Sequence, residues 1–410
     1  MDVVFSTNLF ETVTTRYGAV TFFANDTGAI SASLRKYGEW AENEVSFMLS
    51  LLRQGDTVVD VGAYIGTHSM AFARGVGSTG KVVAIEAQAS SFEVLSQNKA
   101  ANGLDNVRLE NAVASSSSSR ELIPSIDIAS PASYGSASLR DVLLPSAGSH
   151  VPATQPDAQL GLAVKAIAVD DLDLGSCSLI KIDVEGMEDV VLQGATRTIS
   201  QFKPVIYAEC NSLEDGLRTV RAMKALNYRV RAHVVLAYNA ANYRSDEENI
   251  FGGAREVALV GTPAAGYDPL SAYQSRPCEY LMDIGTADDL ALALLNKPQY
   301  VPEVLRESAA ARSGGAAFLD AMHGLLDKID VLHGKLGQLN DDLSLARDDL
   351  SHAQEELKRS VQERAELQEQ LRESEGNAQR LQAMIVEIQG SGSWRLTAPL
   401  RAMSKALSRR

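Results

Sequence analysis

Cysteine is scarce in this chain, with three among 410 residues, at Cys177, Cys210 and Cys278. An odd number at such wide spacing excludes a disulfide-dense secreted scaffold and gives no metal-binding signature. Proline is scarce as well. Five of the 12 prolines fall in 124–156 and five in 263–302. No run approaches the ~18 apolar residues of a membrane-spanning helix. Met1 to Gly18 has no basic start followed by an apolar core, so no signal peptide is expected. These absences predict a soluble protein of a reducing compartment, the cytoplasm. An excess of base is also missing. The 38 Lys and Arg stand against 52 Asp and Glu, a formal charge of −14, which argues against a nucleic-acid partner.

That total conceals a split. Residues 318–388 hold 15 acids and 8 bases, whereas 389–410 hold 5 bases and no acid. The acidic body is therefore followed by a charged segment and a short basic tip. The first proline cluster opens after the serine run 115–119 and reads as an insertion. The second reads as a junction between domains.

Residues 10–35 carry the pattern of short strands, with turns at Tyr17-Gly18 and Asp26-Thr27-Gly28. Strands and helices then alternate. Val58-Val59, 82–85, 107–113, 179–182 and 205–208 read as strands. Helices are expected over 67–74, 90–101, near 187–200 and over 213–226. Val230–Val235 and Val257–Val260 complete the sheet. This rhythm predicts an α/β fold with a mostly parallel sheet and helices on both faces. In such sheets ligands bind beyond the carboxyl ends of the strands.

Residues 318–388 keep one heptad frame, with 18 of 21 seam positions apolar. This predicts a long coiled coil and a partner helix, most simply from a second copy of the chain. The seam weakens at Ser360, Arg364 and Ser374, near Gly376, either as ordinary imperfection or as a hinge. After Gly390-Ser391-Gly392, Pro399 suits the first turn of a short helix running through Leu407. Leu400, Met403 and Leu407 share one face of it, with basic residues largely elsewhere. Such a helix suits an anionic membrane surface or an acidic protein, or serves only as a solubilising end.

The chemical landmark is Asp60-Val61-Gly62-Ala63-Tyr64-Ile65-Gly66, where a strand ends and a glycine turn leads into a helix. Gly62 and Gly66 permit a sharp turn and close approach of a ligand to the backbone. The spacing is not the Gly-x-Gly-x-x-Gly of nicotinamide or flavin folds, and no lysine follows in P-loop fashion. Glu86 ends the next strand, 20 residues after Gly66, where an acid suits the hydroxyls of a ribose. Asp60 suits the cationic part of a ligand. Asn111, near the end of the third strand, is placed to bond an adenine edge. Asp183, Glu185 and Glu209 end adjacent strands, so clustered carboxylates are expected at the ligand edge, raising one another's pKa as base catalysis requires. Read as an extended segment, 183–185 points both its acids the same way. They also fit a divalent ion, although no metal is indicated. Glu188 sits where a helix dipole favours an acid. His68 is placed either near the reaction path or as a packing residue. His233 reads as a catalytic or a core histidine.

Ile180-Lys181-Ile182-Asp183-Val184-Glu185-Gly186-Met187-Glu188 and Pro204–Asn211, together with 60–66, closely resemble the FkbM family of S-adenosylmethionine-dependent methyltransferases. The resemblance extends over roughly 37–262 and includes Gly38-Glu39-Trp40, Leu192-Gln193-Gly194-Ala195 and Asn249-Ile250-Phe251. Tyr64 stands where the family commonly has asparagine. The resemblance implies a Rossmann-like methyltransferase fold and O-methylation of a sugar or another hydroxylated acceptor. Asp183, Glu185 and Glu209 would be catalytic, and Asp60, Gly62, Ala63, Gly66, Glu86 and Asn111 would bind S-adenosyl-L-methionine. The expected organisation is N-terminal strands at 1–36, a methyltransferase domain at 37–262 with an insertion at 115–163, a linker at 263–317, a coiled coil at 318–389 and a basic tail at 390–410. The tip is similar to endings of bacterial cell-surface polysaccharide enzymes, which implies work on a glycan at the inner membrane. The rival expectation is a coiled-coil scaffold with an inactive head.

Overall fold

The computed structural model describes residues 9–123, 128, 132–134, 162–297 and 316–407. The chain forms two units, Met1–His323 and Gly324–Arg410.

In the first unit, a two-stranded hairpin, β1 (Phe10–Thr15) and β2 (Gly18–Phe23), precedes a ten-stranded mixed sheet. Strands were expected to continue to residue 35, but α1 (Ala29–Tyr37) replaces them. Asp26 prepares that helix by accepting hydrogen bonds from the Gly28 N–H and the Ser31 hydroxyl. Gly38, at φ +67°, closes it with an N–H donated to the Leu34 carbonyl. Helix α2 (Glu42–Ser50) then leads into the sheet. The N-terminal hairpin is held by helix α4 (Ala89–Ala101) and the residue beyond it. The Asn98 amide pairs with both backbone groups of Thr21, at 2.7 and 2.9 Å. That of Asn102 pairs with both groups of Ala19, at 2.9 and 2.7 Å.

The centre of the sheet is built from β3 (Thr57–Val61), β4 (Lys81–Glu86), β5 (Val107–Ala114), β7 (Leu162–Ile167), β8 (Leu179–Ile182) and β9 (Val205–Glu209). Their spatial order is β9-β8-β3-β4-β5-β7, all parallel. Every residue of β3 and β8 is buried, which is why these segments read as continuous apolar runs rather than alternating ones. From β3 the chain proceeds outward through α3 (Thr67–Val76), β4, α4 and β5. It returns to lie beside β3 as β8 and continues the other way through α5 (Glu188–Gln193), α6 (Thr196–Phe202), β9 and α7 (Leu213–Ala225). The reversal between β3 and β8 is a topological switch point, where a crevice opens beyond the strand ends. Antiparallel β10 (Tyr228–Leu236), β11 (Arg255–Pro263) and β12 (Glu279–Asp283) extend one side, and β6 (Ser119–Ile123) the other.

Two boundaries differ from expectation. The stretch 263–297 is not a linker, because β12 pairs with β10 and α8 (Ala287–Leu294) buries Leu290 and Leu294 completely. Proline at 263, 269 and 277 masked this, while the capping box from Thr286 to Asp289 announced the helix. The insertion contributes structure at both ends, through β6 and the start of β7, and through Tyr134, which is buried edge-on against Phe23 at 5.3 Å. Residues 124–127, 129–131 and 135–161 of the insertion, and 298–315 of the expected linker, lie outside the described residues.

Most of α9 (Ala316–Gly390), an unbroken helix of 75 residues and therefore ~110 Å long, belongs to the second unit. It runs through Gly376 without interruption. Leu350, Leu357, Leu367, Leu371 and Leu381 on its seam are 58–65% exposed. Ser391 caps α10 (Gly392–Leu396), and α11 (Ala398–Leu407) begins beside Pro399 as the sequence predicts. The Arg401 guanidinium lies 3.5 Å over the Trp394 ring.

Candidate active site

At the switch point the two central strands approach so closely that a Cβ on Gly62 would lie 1.7 Å from the Asp183 carbonyl oxygen. With φ at +77°, Gly62 tolerates no side chain. Gly66 adopts φ +94° at the head of α3 and shapes the turn from outside the cleft. The cleft beyond the strand ends is lined by Gly62, Tyr64, Glu86, Gln88, Tyr134, Asp183 and Glu185, with Ile85, Val113 and Met187 among its apolar walls.

Glu86 is fixed there by two backbone donors, Tyr64 N–H on one oxygen and Gln88 N–H on the other, both at 2.8 Å. Each oxygen keeps a further lone pair for a ligand. Burial pushes this carboxyl up to about 7. Tyr64 serves the cleft through its backbone and ring, because its hydroxyl donates to Asp26 at 3.2 Å.

Besides Gly66, three expected cofactor residues lie elsewhere. Asp60 is wholly buried and faces Lys181 at 3.3 Å and the Ser69 hydroxyl. Ala63 is buried, its N–H donating to the Ile85 carbonyl at 3.0 Å. Asn111 is exposed, and its amide braces the end of β4 through the carbonyls of Glu86 and Ala87. The reason is geometric. β3 is buried on both faces, so Asp60 points into the protein rather than beyond the strand end.

The structure brings Asp183, Glu185 and Glu209 together, with carboxylate oxygens within 4.8 Å of one another. The expected route does not hold for the first two, because β8 ends at Ile182 and Glu185 adopts φ +49°. A tight turn with Gly186 at φ +97°, not an extended strand, aligns the carboxyls. Their protonation is also not uniform. Burial pushes Asp183 up, but Lys181 and the Glu209 hydrogen bond outweigh it and hold the carboxyl below its usual value. Burial and the Asp183 charge drive Glu209 well above its own. Burial, then Asp183, raises Glu185 to about 7. The expectation that all three carboxyls rise is therefore corrected for Asp183. Glu188, in the first turn of α5, accepts from the Gly186 N–H at 3.0 Å and so ties down the preceding turn.

Two lysines that the motif reading passed over organise this set. Lys181 is buried between Asp60 and Asp183, 3.3 Å from each, and donates to the Gly62 carbonyl at 3.1 Å. Its register partner on β3 is Asp60 itself. Lys297, 1% exposed, reaches Asn211 at 2.6 Å, Glu256 at 2.8 Å and Glu209 at 3.7 Å. Asn211 in turn donates to Glu185 at 3.2 Å.

A second, narrower cavity adjoins the first. Trp40, Glu44, His68, Asp183, Tyr207 and Glu209 are among its walls, and Asp183 lines both cavities. His233 lies outside it. Fully buried, it is held between the Tyr207 hydroxyl and Glu279, each at 3.0 Å, and stacks on Phe47. It is a core histidine.

A Rossmann-like α/β sheet with a glycine turn and an acid-bearing strand end on either side of its switch point is the methyltransferase architecture. Residues 60–230 match the model of the methyltransferase FkbM domain. Solved structures with a similar fold include a methyltransferase FkbM from Methylobacillus flagellatus (18% identity, 54% of this chain and 48% of that one, TM-score 0.33). Others are a SAM-dependent O-methyltransferase from Thermotoga maritima (12%, 63% and 79%, 0.33) and an O-methyltransferase from Bacillus cereus in complex with SAH (14%, 57% and 86%, 0.31). The chain spans about half the length of the first of these. No curated protein sequence matches it. No described helix is long and apolar enough to cross a membrane.

Proposed function

We propose that the head is an S-adenosyl-L-methionine-dependent O-methyltransferase acting on a sugar hydroxyl, with Asp183 as the general base. The observation that carries this reading is the position of Asp183 as the common wall of the two cavities. A group bound in the larger cleft and a hydroxyl in the smaller would meet at that carboxylate.

The larger cleft suits the cofactor. Gly62 leaves room that a Cβ would fill, Glu86 offers two fixed oxygens to ribose hydroxyls, and the apolar walls accept a flat base. When bound, S-adenosylmethionine supplies a methyl group carried on a sulfonium. The chain's own part is to bind, orient and take a proton. Asp183, kept ionised by Lys181, accepts the hydroxyl proton, and Glu209, already protonated, donates a hydrogen bond to it. Lys181 beside Asp183 and Lys297 beside Glu209 flank the partly exposed pair.

We assign the long helix to self-association, supported by its exposed leucine seam. The basic α11 is assigned to an anionic surface at the cytoplasmic face of the inner membrane, which places the acceptor among cell-surface polysaccharides or glycolipids.

Calorimetry with S-adenosylmethionine tests the catalytic reading. The full chain should bind it, and Glu86→Ala should weaken binding at least about tenfold. Absence of binding by the unaltered chain would overturn it. Mass spectrometry of surface glycans from cells with and without Asp183→Asn would then identify the acceptor.

A further inference from the structure

The smaller cavity holds an unsatisfied histidine. His68 sits in the first turn of α3, is 8% exposed and lines the cavity. Its ring approaches Phe72 at 6.2 Å but has no hydrogen-bond partner among the described residues. The ring nitrogens open onto the cavity, where they can meet a bound hydroxyl. Burial, then the Lys181 charge, lowers its pKa to about 4, so the ring is neutral and offers one donor and one acceptor.

The cavity has no cation to spare. Lys181 is committed to Asp60, Asp183 and the Gly62 carbonyl, and Lys297 to Asn211 and Glu256. Apart from Lys181 and the neutral His68, the titratable wall groups are acids or a phenol: Glu44, Asp183, Glu209, Glu256 and Tyr207. A carboxylate, phosphate or sulfate brought here would meet carboxyls with nothing to neutralise it. Hydroxyls would meet donors and acceptors on several sides, and the Trp40 indole offers an apolar face for the C–H face of a sugar ring.

We propose that this cavity is the acceptor subsite, that it takes the uncharged polyhydroxyl edge of a sugar and excludes acceptors with an anionic group beside the reacting hydroxyl, and that His68 orients that hydroxyl onto Asp183. This rests on the methyltransferase reading and adds to it the charge class of the acceptor and the residue that selects it. One bond set describes the step. The acceptor O–H is broken with its proton passing to Asp183, and the oxygen takes the methyl group from the sulfonium, whose sulfur keeps the bonding electron pair.

The full chain with Trp394→Phe leaves Trp40 as the sole tryptophan. S-adenosylhomocysteine binding is measured first by calorimetry, and its absence would sink the methyltransferase reading itself. With that ligand saturating, Trp40 fluorescence is titrated with methyl hexopyranosides and with the matching hexuronates and hexose phosphates. Saturable binding of a neutral hexoside, at least about tenfold tighter than its anionic counterparts, is expected. His68→Ala should weaken it about tenfold, and His68→Asn, which keeps a donor and an acceptor, should recover part. A merely structural role would weaken S-adenosylhomocysteine in step. No response to any neutral hexoside, equal binding of the anions, or an unchanged titration in His68→Ala would each overturn the inference.

Discussion

Replacing Lys181 by methionine isolates the electrostatic core of the head. The lysine is 6% exposed and stands between Asp60, which has no exposure, and Asp183, whose side chain is 32% exposed. Methionine keeps the volume of the stem and removes the charge. Asp60 would remain with its Ser69 hydrogen bond but no cation, and leaving a buried partner uncompensated costs about 3–5 kcal/mol. Asp183, partly solvated, adds less. Against a total stability of about 5–15 kcal/mol, the head should fold but be plainly weakened. Urea unfolding followed by Trp40 fluorescence, in a Trp394→Phe background, measures the loss. Adding Asp60→Asn should return most of it, because the neutral amide keeps the Ser69 contact and needs no counter-charge. The sign with pH follows from Asp183. Its folded carboxyl is held below the unfolded value, so its contribution is present above about pH 4 and is lost as pH falls through the folded value. Lys181→Met lacks that contribution, so the gap to the unaltered protein should narrow in acid. A variant as stable as the parent at pH 7, or one that Asp60→Asn fails to rescue, would refute this account.

Three further outcomes are expected. Gly62→Ala should destabilise the head by several kcal/mol, since its Cβ meets backbone at 1.7 Å and the residue holds a positive φ; a midpoint shift in the same urea experiment reads it. Asp183→Asn should lower methyl transfer about 10²–10⁴-fold, whereas Glu209→Gln, which keeps a hydrogen-bond donor where a protonated acid stands, should cost far less; a similar loss in both would undo the assignment of a protonated Glu209. Leu357→Asp and Leu367→Asp together should dissociate the self-associated chain in sedimentation experiments; an unchanged mass would remove the seam as the cause.

Much of the head was legible because its strands are buried on both faces and so appear as apolar runs bounded by turns. The Gly62–Gly66 turn and the acid that ends β4 marked the strand edge where the structure has a cleft. Legibility failed where side-chain direction depended on a neighbour. Asp60 reads as a ligand contact from the motif alone, yet opposite it on β8 stands Lys181. A single charged residue at matched positions of two adjacent apolar strands was the available sign of a buried ion pair. Glu185 was correctly grouped with Asp183 for a mistaken reason, because its left-handed backbone cannot be read from an acid followed by glycine. His68 needed the cavity to distinguish an unsatisfied ring from a packed one.

Lys297 bears on how the head is made. The acids at 183, 185, 209 and 256 leave the ribosome before the lysine that bridges Glu209 and Glu256, and that lysine follows α8. Through most of synthesis the carboxyl cluster has no cation on that side. Docking of α8 delivers it. A chain cut just before residue 297 would keep these acids but lack the cation that bridges Glu209 and Glu256.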